Sequence, residues 1–373
     1  MTGLINSFRV VLLLIEVFGF RWRQLGLLGF RIALTSFTAL TLALDHLFFP
    51  RGVRTPLDRP VFLIGHLRSG TTFLHRWLTE TFPFRSLLLW EMVFPALTAR
   101  LLLRPFLRFM QRVSFDRVYD PNIHETGFFA AETDDIALSM RYFDGLLSWI
   151  YFHAWREYPD DAAFERALAE TVEKPRFVRY LAAVYRRAVH RSGLRMFSKS
   201  FCLLFNMDQV RAQFPGAKFL LIVRDPVESV VSMCSLEHGI QRRINDIDAQ
   251  SESLRKRYFD NLVRTSAVYY RRLCVEARRA ESDTLILTYP SLFSDFEGTM
   301  TRVARFLDIE LDAATELLLR EQAGKQGDYA SQHRYSAAAF GLSDEAIRRE
   351  FGFVYAQFED LRMPDAQGST LGA

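Results

Sequence analysis

Lysine is scarce in this sequence. Only Lys174, Lys199, Lys218, Lys256 and Lys325 occur among 373 residues, while arginine supplies nearly every other cation. A compact ammonium and a planar guanidinium do different work, so in an arginine-rich chain each lysine is informative. Lys174 and Lys256 read as residues of solvated faces. Cysteine is scarcer still. Cys202, Cys234 and Cys274 are far apart and odd in number, which excludes a disulfide framework and offers no metal-ligand spacing; they read as reduced residues of a cytoplasmic protein. Excess charge is also small, with a net charge of +4 and a pI near 9.0. That balance suits an anionic ligand or an anionic membrane surface without demanding nucleic acid, and no zinc-finger or aromatic–basic RNA-binding pattern appears. Apolar residues are plentiful: 49% of the chain is hydrophobic, with 34 Phe, ample for one large core plus an accessory segment.

A long uncharged apolar run is missing as well. Residues 9–48 are strongly apolar, but the best uncharged stretch, Ile32 to Leu44, falls short of the about 20 residues a spanning helix needs. Arg9, Glu16 and Arg23 recur every seven residues, and Arg31 lies near the same stripe on a helical wheel. Two readings fit residues 1–50. One is a helix lying in a membrane interface, its arginines at the headgroups, giving peripheral attachment. The other is a buried helix packed on the body of the protein or on a second subunit of a homo-oligomer. Charges interrupt the stretch and no A-x-A site follows it, unlike a secretory signal. Residues 44–60, with three prolines, read as a linker.

Beyond residue 60, short runs rich in Val, Ile, Leu and Phe appear at 61–65, 195–198, 218–223 and 284–289. They lack polar alternation, as buried parallel strands do. Helical patterns fill 71–81, 160–191, 201–213, 226–238 and 251–281. The alternation predicts an α/β fold over residues 51–362, a P-loop-type parallel sheet flanked by helices, preceded by the apolar helical segment 1–50 and followed by a disordered tail, 363–373. Ligands in such sheets bind at the carboxyl ends of the strands.

The stretch VFLIGHLRSGTTFLHRWL, residues 61–78, reads as strand, glycine-bracketed turn and helix. Gly65 and Gly70 have Walker spacing and Thr72 stands at the hydroxyl position, but Thr71 replaces the Walker lysine and Arg68 appears inside the loop. Backbone N–H groups at such a helix start attract an anion. Ser69, Thr71 and Thr72 add hydroxyls, and Arg68 adds a fork for oxyanions. A second element, FLLIVRDPVESVVSM at 219–233, carries a strand into Arg224, then Asp225–Pro226 opens a helix with Ser232 two turns along. Asp225 is expected to cap that helix while Arg224 is free to bind.

These two stretches carry a resemblance. Gly65–Thr72 resembles the 5′-phosphosulfate loop of sulfotransferases dependent on 3′-phosphoadenosine 5′-phosphosulfate (PAPS), which commonly read P-[KR]-S-G-T-T. VRDPVESVVS resembles their 3′-phosphate motif, an Arg followed by a Ser eight residues on. The similarity runs from about residue 44 to 361 and is closest to bacterial sulfotransferases and the tyrosylprotein group. It implies a sulfotransferase fold, PAPS as co-substrate and no metal. It implies donor binding by Arg68, Ser69, Gly70, Thr71, Thr72, Arg224 and Ser232. Lys199, in a stretch resembling the family's K-[SD]-P segment, would stabilise charge on the leaving phosphate, and Arg68 would act with it on the phosphosulfate oxygens as the S–O bond breaks; Phe201 departs from that pattern by replacing the proline.

Glu91 falls where tyrosylprotein-like members place a base, and apolar neighbours such as Trp90 and Phe94 would raise its pKa. His124, in a His-and-acid stretch shared with bacterial members, is the alternative base. Residues 323–336 resemble a G-x-x-G-D-W loop, with Gly324, Gly327, Asp328 and Tyr329 in register, and Lys325 or Arg320 would substitute for its basic pair at the 3′-phosphate. Gln322–Ala323 and Leu236 stand where relatives carry phosphate-binding cations. The implied activity is sulfuryl transfer to a small-molecule or lipid acceptor. The alternatives are a P-loop kinase and a membrane-associated nucleotide-binding protein that transfers nothing.

Overall fold

The computed structural model describes residues 2–107, 136–279, 281–327 and 336–361. Five strands, β1 (Val61–Gly65), β2 (Phe84–Arg85), β3 (Arg195–Lys199), β4 (Lys218–Val223) and β5 (Thr284–Thr288), form one sheet in the order β2-β3-β1-β4-β5. Every pairing is parallel. The helices that position the site are α1 (Thr2–Phe18), α2 (Trp22–Phe48), α3 (Thr71–Thr81), α4 (Pro175–Val189), α5 (Pro226–Ile244), α6 (Glu252–Arg278) and α7 (Ala313–Gly327). The architecture is the parallel α/β sheet expected, with an apolar helical segment in front.

Strand side chains alternate between faces, and the alternation divides the interior in two. Phe62 and Ile64 of β1 join Phe219 and Leu221 of β4 under α4, α5 and α6. Val61 and Leu63 join Leu220 and Ile222 on the opposite face, under α3 and the helix Phe296–Phe306. Both faces are covered, so the strands read as continuous apolar runs.

Several boundaries differ from the sequence expectation for local reasons. The two-residue edge strand β2 is too short for any periodicity to reveal. The pattern over 160–191 is two helices, Asp161–Val172 and α4, because Pro175 forces the residue before it out of helical geometry. Residues 44–60 are not all linker: α2 runs to Phe48 and a short helix, Pro50–Arg54, follows with proline at its start. Arg9 and Arg23 lie on separate helices, which turn at Gly19 in left-handed geometry.

The α1–α2 hairpin is tied to the body by buried polar contacts. Asp45, fully buried, accepts from Arg187 Nε at 2.6 Å, from the Leu97 and Thr98 N–H groups at 3.0 and 2.7 Å, and from the Thr98 hydroxyl at 2.7 Å. It therefore caps the helix Leu97–Leu103 and neutralises a buried arginine of α4 at once. Arg31 donates to the Met140 and Arg141 carbonyls and lies over the Phe143 ring. All three cysteines are free and buried.

Removing one partner of a buried, hydrogen-bonded ion pair strands the other charge. Asp45→Ala is expected to destabilise the protein by about 3–5 kcal/mol in urea denaturation.

Candidate active site

The carboxyl ends of β1, β3 and β4 meet around one turn. β1 stops at Gly65, where a side chain would run into Ile222 of β4 and the Ser69 hydroxyl. The chain turns through His66–Gly70, with the Ser69 N–H on the His66 carbonyl at 3.1 Å, and enters α3. Arg68 (φ 67°) and Gly70 (φ 87°) both hold left-handed backbone. For Gly70 this is free. For Arg68 it costs about 1 kcal/mol or more, a strain that clusters at ligand sites. Left-handed turns of this kind direct successive N–H groups inward as an anion nest. No side chain caps α3, so its leading N–H groups face the turn. Tyr289, just past β5, packs against Gly70 and leaves no room for a β-carbon.

The two sequence motifs touch. Arg68 Nε donates to Ser232 Oγ at 3.0 Å, and Arg224 donates to the Arg68 carbonyl at 2.8 Å. The loop cation thus reaches the second turn of α5 rather than pointing into solvent, and the strand-end cation clasps the loop backbone. Asp225 caps α5 as expected, accepting from the Val227 and Glu228 N–H groups at 2.7 and 3.3 Å and from the Tyr355 hydroxyl at 3.0 Å. Burial raises its pKa against those hydrogen bonds. Arg224, however, is not free: its Nε and terminal nitrogen both donate to Glu228, one helical turn on, and its guanidinium stacks over Tyr289 at 4.1 Å. The sequence reading missed Glu228, whose i,i+4 spacing from Arg224 is the available signal.

Lys199 ends β3 in register with Leu63, and its ammonium, only 2% exposed, donates to Thr72 Oγ1 at 2.9 Å. A buried ammonium directed at the start of α3 is a fixed positive charge at the turn. His75, one turn into α3, is also buried. Burial, and then the charge of Lys199, lower its pKa to about 3. His66 is lowered to about 4 by burial, opposed by its bond to the Leu67 carbonyl. Its Nδ1 lies 2.8 Å from that carbonyl and is the donor; Nε2, 3.0 Å from Ser266 Oγ, is the acceptor, which ties the loop to α6. The hydroxyls of Ser69 and Ser200 are buried beside these groups and have no hydrogen-bond partner among the described residues. Buried hydroxyls with no protein partner are groups that a ligand can satisfy.

Glu91 follows β2, on the same strand-end edge of the sheet. It is buried, but its surroundings are guanidiniums rather than the apolar side chains expected. Arg85 donates to both carboxylate oxygens at 2.6 Å, Arg100 to one at 3.1 Å, and the Leu88 N–H to the other at 3.0 Å. An acceptor hydroxyl would have to displace one of these donors. Lys325 is exposed on α7, which continues helically through Gly327 where the resemblance implies a loop. His124, Asp328 and Tyr329 lie outside the described residues.

The family model described as the sulfotransferase family matches residues 60–313, more than half of the chain. No curated protein matches it in sequence. Two solved structures share the fold over nearly the whole length. The sulfotransferase STF1 from Mycobacterium tuberculosis H37Rv has 17% identity and a TM-score of 0.68, with 94% of this chain and 92% of that one covered. The sulfotransferase STF9 from Mycobacterium avium has 18% identity and a TM-score of 0.69, with 91% and 86% covered.

The depressed histidines set a pH dependence. In the folded chain His66 and His75 resist protonation that the unfolded chain accepts below the ordinary value of 6.5. Their contribution is intact above 6.5 and is lost as pH falls towards 4, at up to about 1.4 kcal/mol per group per pH unit. Urea titrations across this window should show that decline, and His75→Gln should make it shallower by about one proton.

Proposed function

The chain belongs to the sulfotransferase family, and on that premise we propose that it transfers a sulfuryl group from PAPS to a hydroxyl of a hydrophobic acceptor, releasing adenosine 3′,5′-bisphosphate. The observation that carries this reading is the contact between the two cationic elements, Arg68 on Ser232 and Arg224 on the Arg68 carbonyl. A ligand with a bridged phosphosulfate and a separate 3′-phosphate presents two anionic ends, and these elements form one continuous cationic seam for them. The Ser69 and Ser200 hydroxyls, which have no hydrogen-bond partner among the described residues, fit such a ligand.

PAPS supplies the activated sulfuryl group. Around it, the nest at Arg68–Gly70 and the N–H groups opening α3 bind the phosphosulfate oxygens. Arg224 and Ser232 bind the 3′-phosphate. To do so Arg224 exchanges Glu228, a half-exposed carboxylate whose ion pair contributes little in water, for a phosphate of about −1.5 to −2 charges. Lys199 is held in place by burial and by Thr72, so its ammonium stands at the start of α3, where negative charge grows, without reorganisation. His75, kept neutral beside it, adds no competing cation.

Proton removal from the acceptor falls to Glu91 or His124. For Glu91 this means that the acceptor hydroxyl takes the place of one of its present donors. A kinase reading lacks the Walker lysine at Thr71, and it predicts magnesium-dependent turnover of ATP. Transfer of radiolabelled sulfate from PAPS into a lipid extract, insensitive to EDTA, tests the proposal directly; ATP turnover abolished by EDTA would favour the kinase.

Two substitutions separate roles. Lys199→Ala is expected to lower turnover by about a hundredfold or more while changing the affinity for adenosine 3′,5′-bisphosphate by less than about threefold, measured by calorimetry. Comparable losses in both would make Lys199 a binding residue only. Glu91→Gln keeps a neutral acceptor for Arg85 and Arg100. If Glu91 takes the proton, the variant retains adenosine 3′,5′-bisphosphate binding and loses turnover by at least about a hundredfold; a loss confined to melting temperature assigns it to anchoring the two arginines.

A further inference from the structure

Helix α2 is built inside out. The side chains it buries are Gln24, Arg31, Thr38, Thr41 and Asp45, at spacings that keep them on one face. The side chains it exposes include Trp22 (78%), Phe30 (62%) and Leu47 (71%). Its partner α1 likewise turns Phe8 and Leu12 outward, with Leu12 64% exposed. A helix on a water-facing surface has the opposite arrangement, and a contiguous apolar surface of this kind marks an interaction site.

The length and hydropathy of α2 would let it cross a bilayer, but its polar face is already committed. Arg31 is held by the Met140 and Arg141 carbonyls, and Asp45 by Arg187, Leu97 and Thr98. These anchors are fourteen residues apart, about 21 Å along the helix at 1.5 Å per residue. Insertion across a hydrocarbon core of about 30 Å would strip them and leave buried charges unpaired. The helix can meet lipid only from the side.

Charge selects among the partners that could cover this face. Arg9 and Arg23 are exposed on the hairpin, and Arg51 and Arg54 are exposed just past it. None of the four forms an ion pair among the described residues, and Glu16 is the one exposed acid between residues 2 and 54. A two-fold dimer through this face would set a cationic rim against itself. An anionic lipid surface complements it, and exposed tryptophan suits the headgroup boundary.

We propose that the α1–α2 hairpin docks in the plane of an anionic phospholipid bilayer, seating its outward apolar face among the acyl chains and its arginines at the phosphates. The anchors at Arg31 and Asp45 hold the α/β body against the membrane surface. This proposal is independent of the sulfuryl-transfer reading, because its readout is binding to lipid rather than activity.

The test is sedimentation of the full chain with phosphatidylglycerol–phosphatidylcholine vesicles and with phosphatidylcholine vesicles alone. The expected result is binding that favours the anionic vesicles. Leu12→Glu combined with Phe30→Glu should weaken it by at least about tenfold, and Arg9→Glu combined with Arg23→Glu should abolish the preference for anionic lipid. Both variants should keep the parent's melting temperature and affinity for adenosine 3′,5′-bisphosphate, because all four side chains face outward. Lipids brominated in the acyl chains should quench emission that Trp22→Phe removes. A chain that stays in the supernatant with every vesicle, or that binds both kinds equally, overturns the proposal. So does a dimer in sedimentation velocity that Leu12→Glu with Phe30→Glu dissociates, which would assign the face to a second copy.

Discussion

The turn between Gly65 and Thr71 has no spare room, and that tightness organises the site. Ile222 of β4 and the Ser69 hydroxyl crowd Gly65, and the Tyr289 ring crowds Gly70. A backbone crowded by Ile222 of β4 and by Tyr289 just past β5 cannot relax away from Arg224, whose guanidinium bonds the Arg68 carbonyl and stacks on the same Tyr289 ring. The strained Arg68 backbone persists because these contacts determine it from several directions at once. Phosphate recognition by exposed arginines on separate loops would need ordering on binding. Here the order exists before the ligand arrives, so less conformational entropy is lost on association.

The two arginines of the site are each held by a weaker partner than the ligand would be. Arg224 has the half-exposed Glu228 and Arg68 has the Ser232 hydroxyl, while Lys199 donates to the Thr72 hydroxyl. Neutral hydroxyls keep a cation oriented without cancelling its charge. Arg224 is paired with a carboxylate that sits on the solvent side, where giving up the pair costs little. The buried charge at Lys199 is the costliest of these, which is consistent with its being the lysine placed at a strand end in a chain that otherwise uses arginine.

Much of this was legible in the sequence, because buried parallel strands announce themselves as short apolar runs and the glycine spacing marks the turn between β1 and α3. Asp225 as the cap of α5 followed from Asp–Pro at a helix start. The environment of Glu91 was not legible. Its neighbours in sequence are Trp90 and Met92, but its oxygens meet Arg85, which arrives from β2, and Arg100, which arrives from the helix Leu97–Leu103. The segment around Lys325 resembled a loop because it contains two glycines, yet tertiary packing of Leu319 and Ala323 against the core carries α7 through both. The inversion of α2 was hidden for a related reason. Periodicity shows that a helix has two faces, and it is the partner surface that decides which one is buried.

Asp45 joins the two halves of the molecule more closely than an anchor needs to. On one side it caps the helix Leu97–Leu103, and Arg100 of that helix holds Glu91. Burial lowers the pKa of Arg100, while the charges of Glu91 and Asp45 both oppose that effect, so the three groups share one electrostatic neighbourhood. On the other side Asp45 neutralises Arg187 of α4, and the chain leaving α4 turns directly into β3 and ends it at Lys199. Tyr185 of α4 and Ser198 of β3 share a hydrogen bond at 2.8 Å, which ties that helix to the strand a second time. The N-terminal hairpin is therefore bonded to the supports of both Glu91 and Lys199. A surface that seats the hairpin also fixes the orientation of the strand ends where those two side chains lie.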